Sequence, residues 1–172
     1  MRLSRQSPLK IDRFRGPDDL KQITEMMLDV KAALFNAVRF NAPLGVLRFL
    51  IDEQGADVND VDEYGTSPLM DACILGHSEV VLLLIRRGAD VNICDVRGLT
   101  ALMCACIHGG ESGRAIVLSL LKAGANVDRV TFHGMHGMHR TAFTCLHQHD
   151  HMRDAIIGVM FAKSKHWALV DK

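Results

Sequence analysis

The chain has 172 residues, with 20 Lys and Arg against 20 Asp and Glu, and 48% of its residues are hydrophobic. The formal charge of zero argues against nucleic acid as the main partner, because binding phosphates needs a clear excess of positive charge. No apolar run is long enough to span a bilayer and the first residues lack the apolar core of a secretory signal. We therefore expect a single-domain cytoplasmic protein, with nuclear and organellar locations left open.

Residues 1–17 form a basic N-terminal segment, in which residues 1–16 hold five Lys or Arg and one Asp. One interpretation is a disordered tail. Another is an extended arm that lies on an acidic surface of a partner. The apolar anchors of such an arm would be Leu9, Ile11 and Phe14. A weak resemblance to an organelle transit sequence is a third, although Pro8 and Asp12 interrupt any amphipathic helix.

Residues 18–61 are predicted to hold an N-terminal helix and a first, capping repeat. Apolar residues recur at helical spacing between Leu20 and Leu34. This helix lies before the first repeat or merges into it, and the two helices of that repeat are predicted at 33–40 and 44–52. We expect this region to cap a stack of further units.

Residues 62–94 form the clearest unit. Gly65 can adopt the positive φ of a turn, and Ser67 offers a hydroxyl as N-cap before a proline at the first helical position. A second helix is predicted to begin near Ser78 and to end at Gly88. Two short antiparallel helices cannot bury their apolar faces alone, so this unit needs neighbours on both sides.

This unit resembles an ankyrin repeat. The resemblance rests on the turn glycine, the Pro-Leu pair, the Gly-His pair and the GADVN ending within residues 62–92, and the turn glycine recurs 33 residues later at Gly98. It implies an all-α solenoid of paired antiparallel helices with projecting turn fingers. Met70 and Met103 replace a histidine of the family pattern and Ala101 replaces its proline, which implies a looser array.

Residues 95–130 repeat the unit with a glycine-rich insertion. Residues 109–113, GGESG, add about three residues between the two helices. Such insertions map to loops on one face of a solenoid, so we predict a linker there and a second helix over 114–122. The glycines lack the Gly-Lys-Ser/Thr ending of a phosphate-binding loop.

Residues 131–172 are predicted to be a degenerate C-terminal capping repeat. Its turn glycine is Gly134, but the next helix, expected to start after Thr141, comes about five residues late. The finger is therefore enlarged, and residues 133–139 read HGMHGMH. The unit lacks a GADVN ending, as expected of a terminal repeat.

The resemblance implies a non-catalytic protein–protein interaction module, an adaptor or scaffold subunit of a larger assembly, which binds through a concave groove and the finger tips. We predict partner contacts by Tyr64, Asp71, Ile74, Leu75, Arg97, Leu99, Ile107, His108, Phe132 and His149, with Cys104 on the same face. Apolar residues dominate this set, as they do at protein interfaces. The alternative is scattered apolar surface residues. Leu82 and Leu118 predict a second apolar surface on the outer helices.

Histidines suggest the main alternative function, a metal-binding or metal-sensing module. Composition favours metal binding in the last unit, although no pair has the spacing of a zinc motif. The candidate ligands are His133, His136, His139 and Cys145. We otherwise expect no cofactor and no catalysis, because Cys104, Cys106 and Cys145 with His108 match no known catalytic signature.

Two further predictions concern single residue types. Three of the five cysteines coincide with small core positions, so we expect reduced, packed thiols. Asn92 resembles the asparagines of ankyrin repeats that a cellular asparaginyl hydroxylase modifies. Its alternative role is structural, as the asparagine that holds the hairpin in place.

Overall fold

The computed structural model describes residues 30–131, 141–146 and 158–160. The named helices are α1 (Val30–Arg39), α2 (Leu44–Arg48), α3 (Pro68–Leu75), α4 (Ser78–Arg86), α5 (Ala101–His108), α6 (Gly110–Lys122) and α7 (Ala142–Leu146). A π-helical segment, Phe49–Glu53, continues α2. Within these ranges there is no strand, only one isolated bridge between Cys94 and Thr100. The predicted all-α architecture is confirmed.

The helices stack in two rows. In the inner row α3 packs between α1 and α5, and α5 also contacts α7; in the outer row α4 contacts both α2 and α6. Within each unit the inner helix packs on its own outer helix. Each interior unit is therefore buried between two neighbours, which is the arrangement that a single helix pair requires for stability.

Hydroxyl caps set the start of the inner helices. Three side chains each accept a hydrogen bond from the backbone N–H three residues later, at 3.3, 3.4 and 3.4 Å: Ser67, Thr100 and Thr141. Each cap satisfies one of the N–H groups that the first turn leaves without a partner. In the fourth unit, helix α7 begins at Ala142, directly after Thr141.

Equivalent small and branched side chains form the layers of the core. The buried layers along the inner row are Leu34, Leu69 and Leu102, then Ala37, Ala72 and Ala105, then Val38, Cys73 and Cys106. Alanine in the middle layer lets adjacent helices approach closely. Met70 and Met103, at the position of the family's histidine, are also buried and fill the core.

The inner helix of the first unit has the same core positions, but these lie 35 residues before those of the second unit instead of 33. Its inner helix ends with hydrogen bonds from Asn41 N to Val38 O and from Ala42 N to Ala37 O, the same pattern that ends α3. Asn41 takes the left-handed conformation, at φ 48°, that Gly76 takes in the second unit. Helix α1 therefore spans Val30–Arg39, close to the predicted range of 33–40.

The predicted linker at 109–113 is wrong. Only Gly109, at φ 69°, separates the two helices, and residues 110–113 form the first turn of α6. An insertion of about three residues is close to one helical turn of 3.6 residues. Added at the N-terminus of α6, it leaves the buried face of Ile116, Val117 and Leu120 in register with the neighbouring helices.

Asparagines join the hairpins of successive units. Asn59 donates from its amide to Gly88 O at 3.2 Å and accepts from Asp90 N at 2.7 Å. Asn92 makes the same pair of bonds one unit later, to Gly124 O at 3.4 Å and from Asn126 N at 2.8 Å. The side-chain amide donates from its nitrogen and accepts at its oxygen, two separate atoms that reach both backbone groups, which explains the asparagine that closes each GADVN segment.

Candidate protein-binding surface

An aspartate builds each finger. In the first finger, residues 62–66, Asp62 Oδ1 accepts from Tyr64 N at 3.0 Å and from Thr66 N at 2.9 Å. In the second, residues 95–99, Asp95 Oδ1 accepts from Arg97 N at 2.9 Å and Leu99 N at 2.8 Å. The carboxylate thus fixes the backbone that presents the finger tip.

The two finger tips form one edge. Val96 N donates to Tyr64 O at 2.9 Å, and the two side chains are 66% and 61% exposed. Gly65, at φ 77°, allows this approach, because a Cβ built there would lie 3.2 Å from Asp95 Cα. Two large apolar side chains are therefore held side by side in solvent.

A partly exposed ion pair lies at the base of the first finger. Arg39 Nε donates to Asp71 Oδ2 at 2.7 Å, and its Nη2 lies 3.4 Å from Asp62 Oδ2. The guanidinium also lies over the Phe35 ring, 5.5 Å from its centroid. A cavity of about 220 Å³ adjoins this cluster. Its lining is Lys31, Ala32, Phe35, Asn36, Arg39 and Asp62.

Burial and the Arg39 guanidinium shift the pKa of the Asp71 carboxyl in opposite directions. Burial raises the pKa of the Asp71 carboxyl above its usual value, and this effect exceeds the lowering by the hydrogen bond and charge of Arg39. The predicted contact residue Asp71 is thus engaged within the chain.

The pKa of Asp71 gives a direct test of this cluster. Replacing Arg39 by Ala should raise the pKa of Asp71 further, because burial then acts without the opposing cation. An NMR titration of the Asp71 side-chain carboxyl carbon measures the midpoint. Lys31→Ala is the matched control, since Lys31 pairs with Asp60 rather than with Asp71. An unchanged midpoint in the Arg39 variant would contradict the pairing.

The C-terminal ends of the inner helices carry a second exposed apolar group. Ile74 and Leu75 end α3 and are both exposed, and Phe40 occupies the equivalent place after α1. Ile107 and Leu99 are only partly exposed and pack against the core. The structure therefore brings Ile74 and Leu75 to the surface and uses Ile107 and Leu99 mainly in packing.

Cys104 and His108 differ from the predicted surface roles. The prediction that Cys104 faces the groove is wrong, because the side chain is buried in the core cluster that also holds Cys145 of α7. His108 is exposed, but its Nδ1 lies 3.1 Å from Ile74 O and its ring covers Gly76. With the proton on Nδ1, His108 donates to the end of α3 and joins two units. Gly76, which leaves room for the ring, was the only signal of this contact in the sequence.

Burial makes Cys73 and Cys104 unsuited to nucleophilic chemistry. All five thiols are free, and four of them are buried. Burial raises the pKa of Cys104 to about 12 and that of Cys73 well above its usual range. A thiol that stays protonated at neutral pH is a poor nucleophile.

Several predicted site residues lie outside the described ranges. These are Phe132, His149 and the candidate metal ligands His133, His136 and His139. The fourth candidate ligand, Cys145, is buried in the core. In the part of the chain that the structure describes, no group of three His, Cys, Asp or Glu side chains is placed to hold a metal ion.

Stacked helix pairs with projecting fingers define a helical repeat protein. A comparison with known protein families matches residues 34–131 to ankyrin repeats, in three copies. The match covers more than half of the chain, which belongs to the ankyrin repeat family. Ankyrin repeats are generally protein–protein interaction modules, and the family is typically non-enzymatic. A comparison with curated proteins finds no match. No helix within the described ranges is long and apolar enough to cross a membrane.

Proposed function

We propose that this chain is a non-catalytic adaptor or scaffold subunit that binds a protein partner through its finger tips and inner helices. Nine large apolar side chains are exposed among the described residues, and five of them lie at these two places. We call these five the inner apolar surface: Phe40, Tyr64, Ile74, Leu75 and Val96. Their grouping at the finger tips and at the C-terminal ends of the inner helices is the observation that carries the proposal.

Rigidity supports the same function. The tips are held by Asp62 and Asp95, and the units by Asn59 and Asn92. A surface fixed in advance loses little conformational entropy when a partner binds, so more of the contact energy contributes to affinity. The remaining predicted contacts lie at the margin of this surface and are polar or partly packed against the core: Asp71, Arg97, Leu99, Ile107 and His108. Phe132 and His149 would extend the surface.

Two leucines of similar exposure test the proposal. Leu75, on α3, is 43% exposed, and Leu82, on the outer helix α4, is 40% exposed. A charge at the centre of an interface costs far more than one on a free surface, so Leu75→Asp should weaken partner binding at least ten-fold, and Leu82→Asp should not. Partners are found by quantitative affinity capture with the wild type and both variants, and dissociation constants are then measured by calorimetry.

Both variants should keep the wild-type circular dichroism spectrum, because each replaces a half-exposed side chain. Loss of binding in the Leu82 variant alone would move the interface to the outer helices. That result would support the second apolar surface predicted from Leu82 and Leu118. Equal binding by all three proteins would remove the inner apolar surface from the function.

Three finer points belong to the same proposal. The free thiols are typical of a reducing compartment and support a cytoplasmic location. Metal binding by His133, His136 and His139 remains the alternative function, and elemental analysis with and without chelator tests it. Hydroxylation of Asn92 also remains a prediction. The hydrogen bonds of its side chain support the structural role in any case.

A further inference from the structure

We propose that residues 1–16 of this chain bind its own inner apolar surface when no partner is present. This proposal rests on the proposed function in one respect: both concern the inner apolar surface. A partner would then have to displace the segment, which makes the segment an internal competitor. Three observations lead to it: the charge of the surface, the matching sequence of residues 1–16, and the position at which the described chain begins.

The charge around the inner apolar surface is negative. Five carboxylates and three cations lie on the two fingers, on residues 60 and 61 before the first finger, and on helices α1, α3 and α5. The carboxylates are Asp60, Asp62, Glu63, Asp71 and Asp95, and the cations are Lys31, Arg39 and Arg97. Each cation already pairs with an aspartate of this group. Glu63, exposed beside Tyr64, has no cation within 4.0 Å among the described residues.

Residues 1–16 carry the complementary pattern. They hold five Lys or Arg against one Asp, a net charge of +4, from 5 − 1. In the stretch LKIDRFR, residues 9–15, Leu9 and Ile11 alternate with Lys10 and Asp12, and Phe14 follows between two arginines. An extended segment of this kind can set Leu9 and Ile11, which share one face, against apolar side chains while its cations meet Glu63 and its neighbours.

The start of the described chain lies beside the same surface. Lys31 Nζ is 3.8 Å from Asp60 Oδ1, immediately before the first finger. Thirteen residues, 17–29, connect residue 16 to Val30. They span at most about 45 Å when fully extended, whereas adjacent helices are about 8–10 Å apart, so the whole inner row is within reach. A short tether gives an effective concentration of about 1 mM, which lets weak contacts hold the segment.

Carbodiimide cross-linking of the full chain tests the proposal. Lys10 is the one lysine among residues 1–16, and the reagent joins its amine to a carboxylate in direct contact. We expect a Lys10–Glu63 link, found by mass spectrometry of the monomer, that decreases several-fold at high salt. Glu63→Gln should remove the link. Glu111→Gln is the matched control, because the Glu111 side chain is 88% exposed on α6, in the outer row.

Two outcomes would overturn the proposal. One is the absence of any link from Lys10 to residues 60–71, or equal linking to Glu111. The other is a link that forms only between chains, detected by mixing ¹⁴N- and ¹⁵N-labelled protein, which would make a second copy the occupant. Because the experiment needs no partner, its failure leaves the proposed partner binding untouched. Conversely, equal partner binding by the Leu75 and Leu82 variants would contradict the proposed function but would not change the expected Lys10–Glu63 link.

Discussion

Replacing Leu102 by Ala is expected to lower the free energy of unfolding by about 3–5 kcal/mol. Leu102 is fully buried on α5, which packs against α3 on one side and α7 on the other. The substitution leaves a cavity that three units share, and close-packed helices fill it only in part. Urea unfolding followed by circular dichroism measures the change.

Leu82→Ala is the control for this prediction. It removes the same atoms from a half-exposed position on α4 and should cost less than about 1 kcal/mol. The difference between the two leucines measures how much stability comes from contact between units. Similar losses in both variants would show that the stack is not packed as described.

Replacing Asp95 by Ala should cost about 2–4 kcal/mol, because it leaves the backbone N–H groups of Arg97 and Leu99 without their acceptor. The Asp95 side chain is only 2% exposed and accepts both bonds through one oxygen. The second finger should lose its fixed shape, so partner affinity should fall together with stability. Amide hydrogen exchange at residues 97 and 99 reports the loss directly.

Arg97→Ala separates the finger backbone from its surface charge. The Arg97 side chain is 62% exposed and only pairs with Asp95, so its removal should change stability by less than about 1 kcal/mol. The amides of residues 97 and 99 should keep their protection in this variant. If both variants behave alike, the ion pair rather than the backbone bonds holds the finger.

The two aspartates also explain how stability and function are connected. Each finger aspartate uses its carboxylate on the backbone, which leaves Tyr64 and Val96 free to contact a partner. The side chains that shape the surface are thus different from those that it presents. Substitutions at the tips should therefore alter specificity with little effect on folding.

The local features of the fold followed directly from the sequence. Ser67 marks a helix start because its hydroxyl accepts a hydrogen bond from a free N–H group of the first turn. Gly65 marks a turn because a positive φ excludes most other residues. The spacing of 33 residues between turn glycines indicated stacked units, because no unit can bury its core alone. The exposed Tyr64, Ile74 and Leu75 were also correctly placed on the surface.

Contacts between units were decided by the tertiary structure. The pairing of Arg39 with Asp71, the His108 ring over Gly76 and the burial of Cys104 each join residues of different units. The extension of α6 through the glycine-rich insertion depended on keeping its apolar face against neighbouring helices. The sequence by itself determined each helix pair, because caps, turns and periodicity act over a few residues. Only the stacked structure decided which side chains face a partner, because that depends on how adjacent helices cover one another.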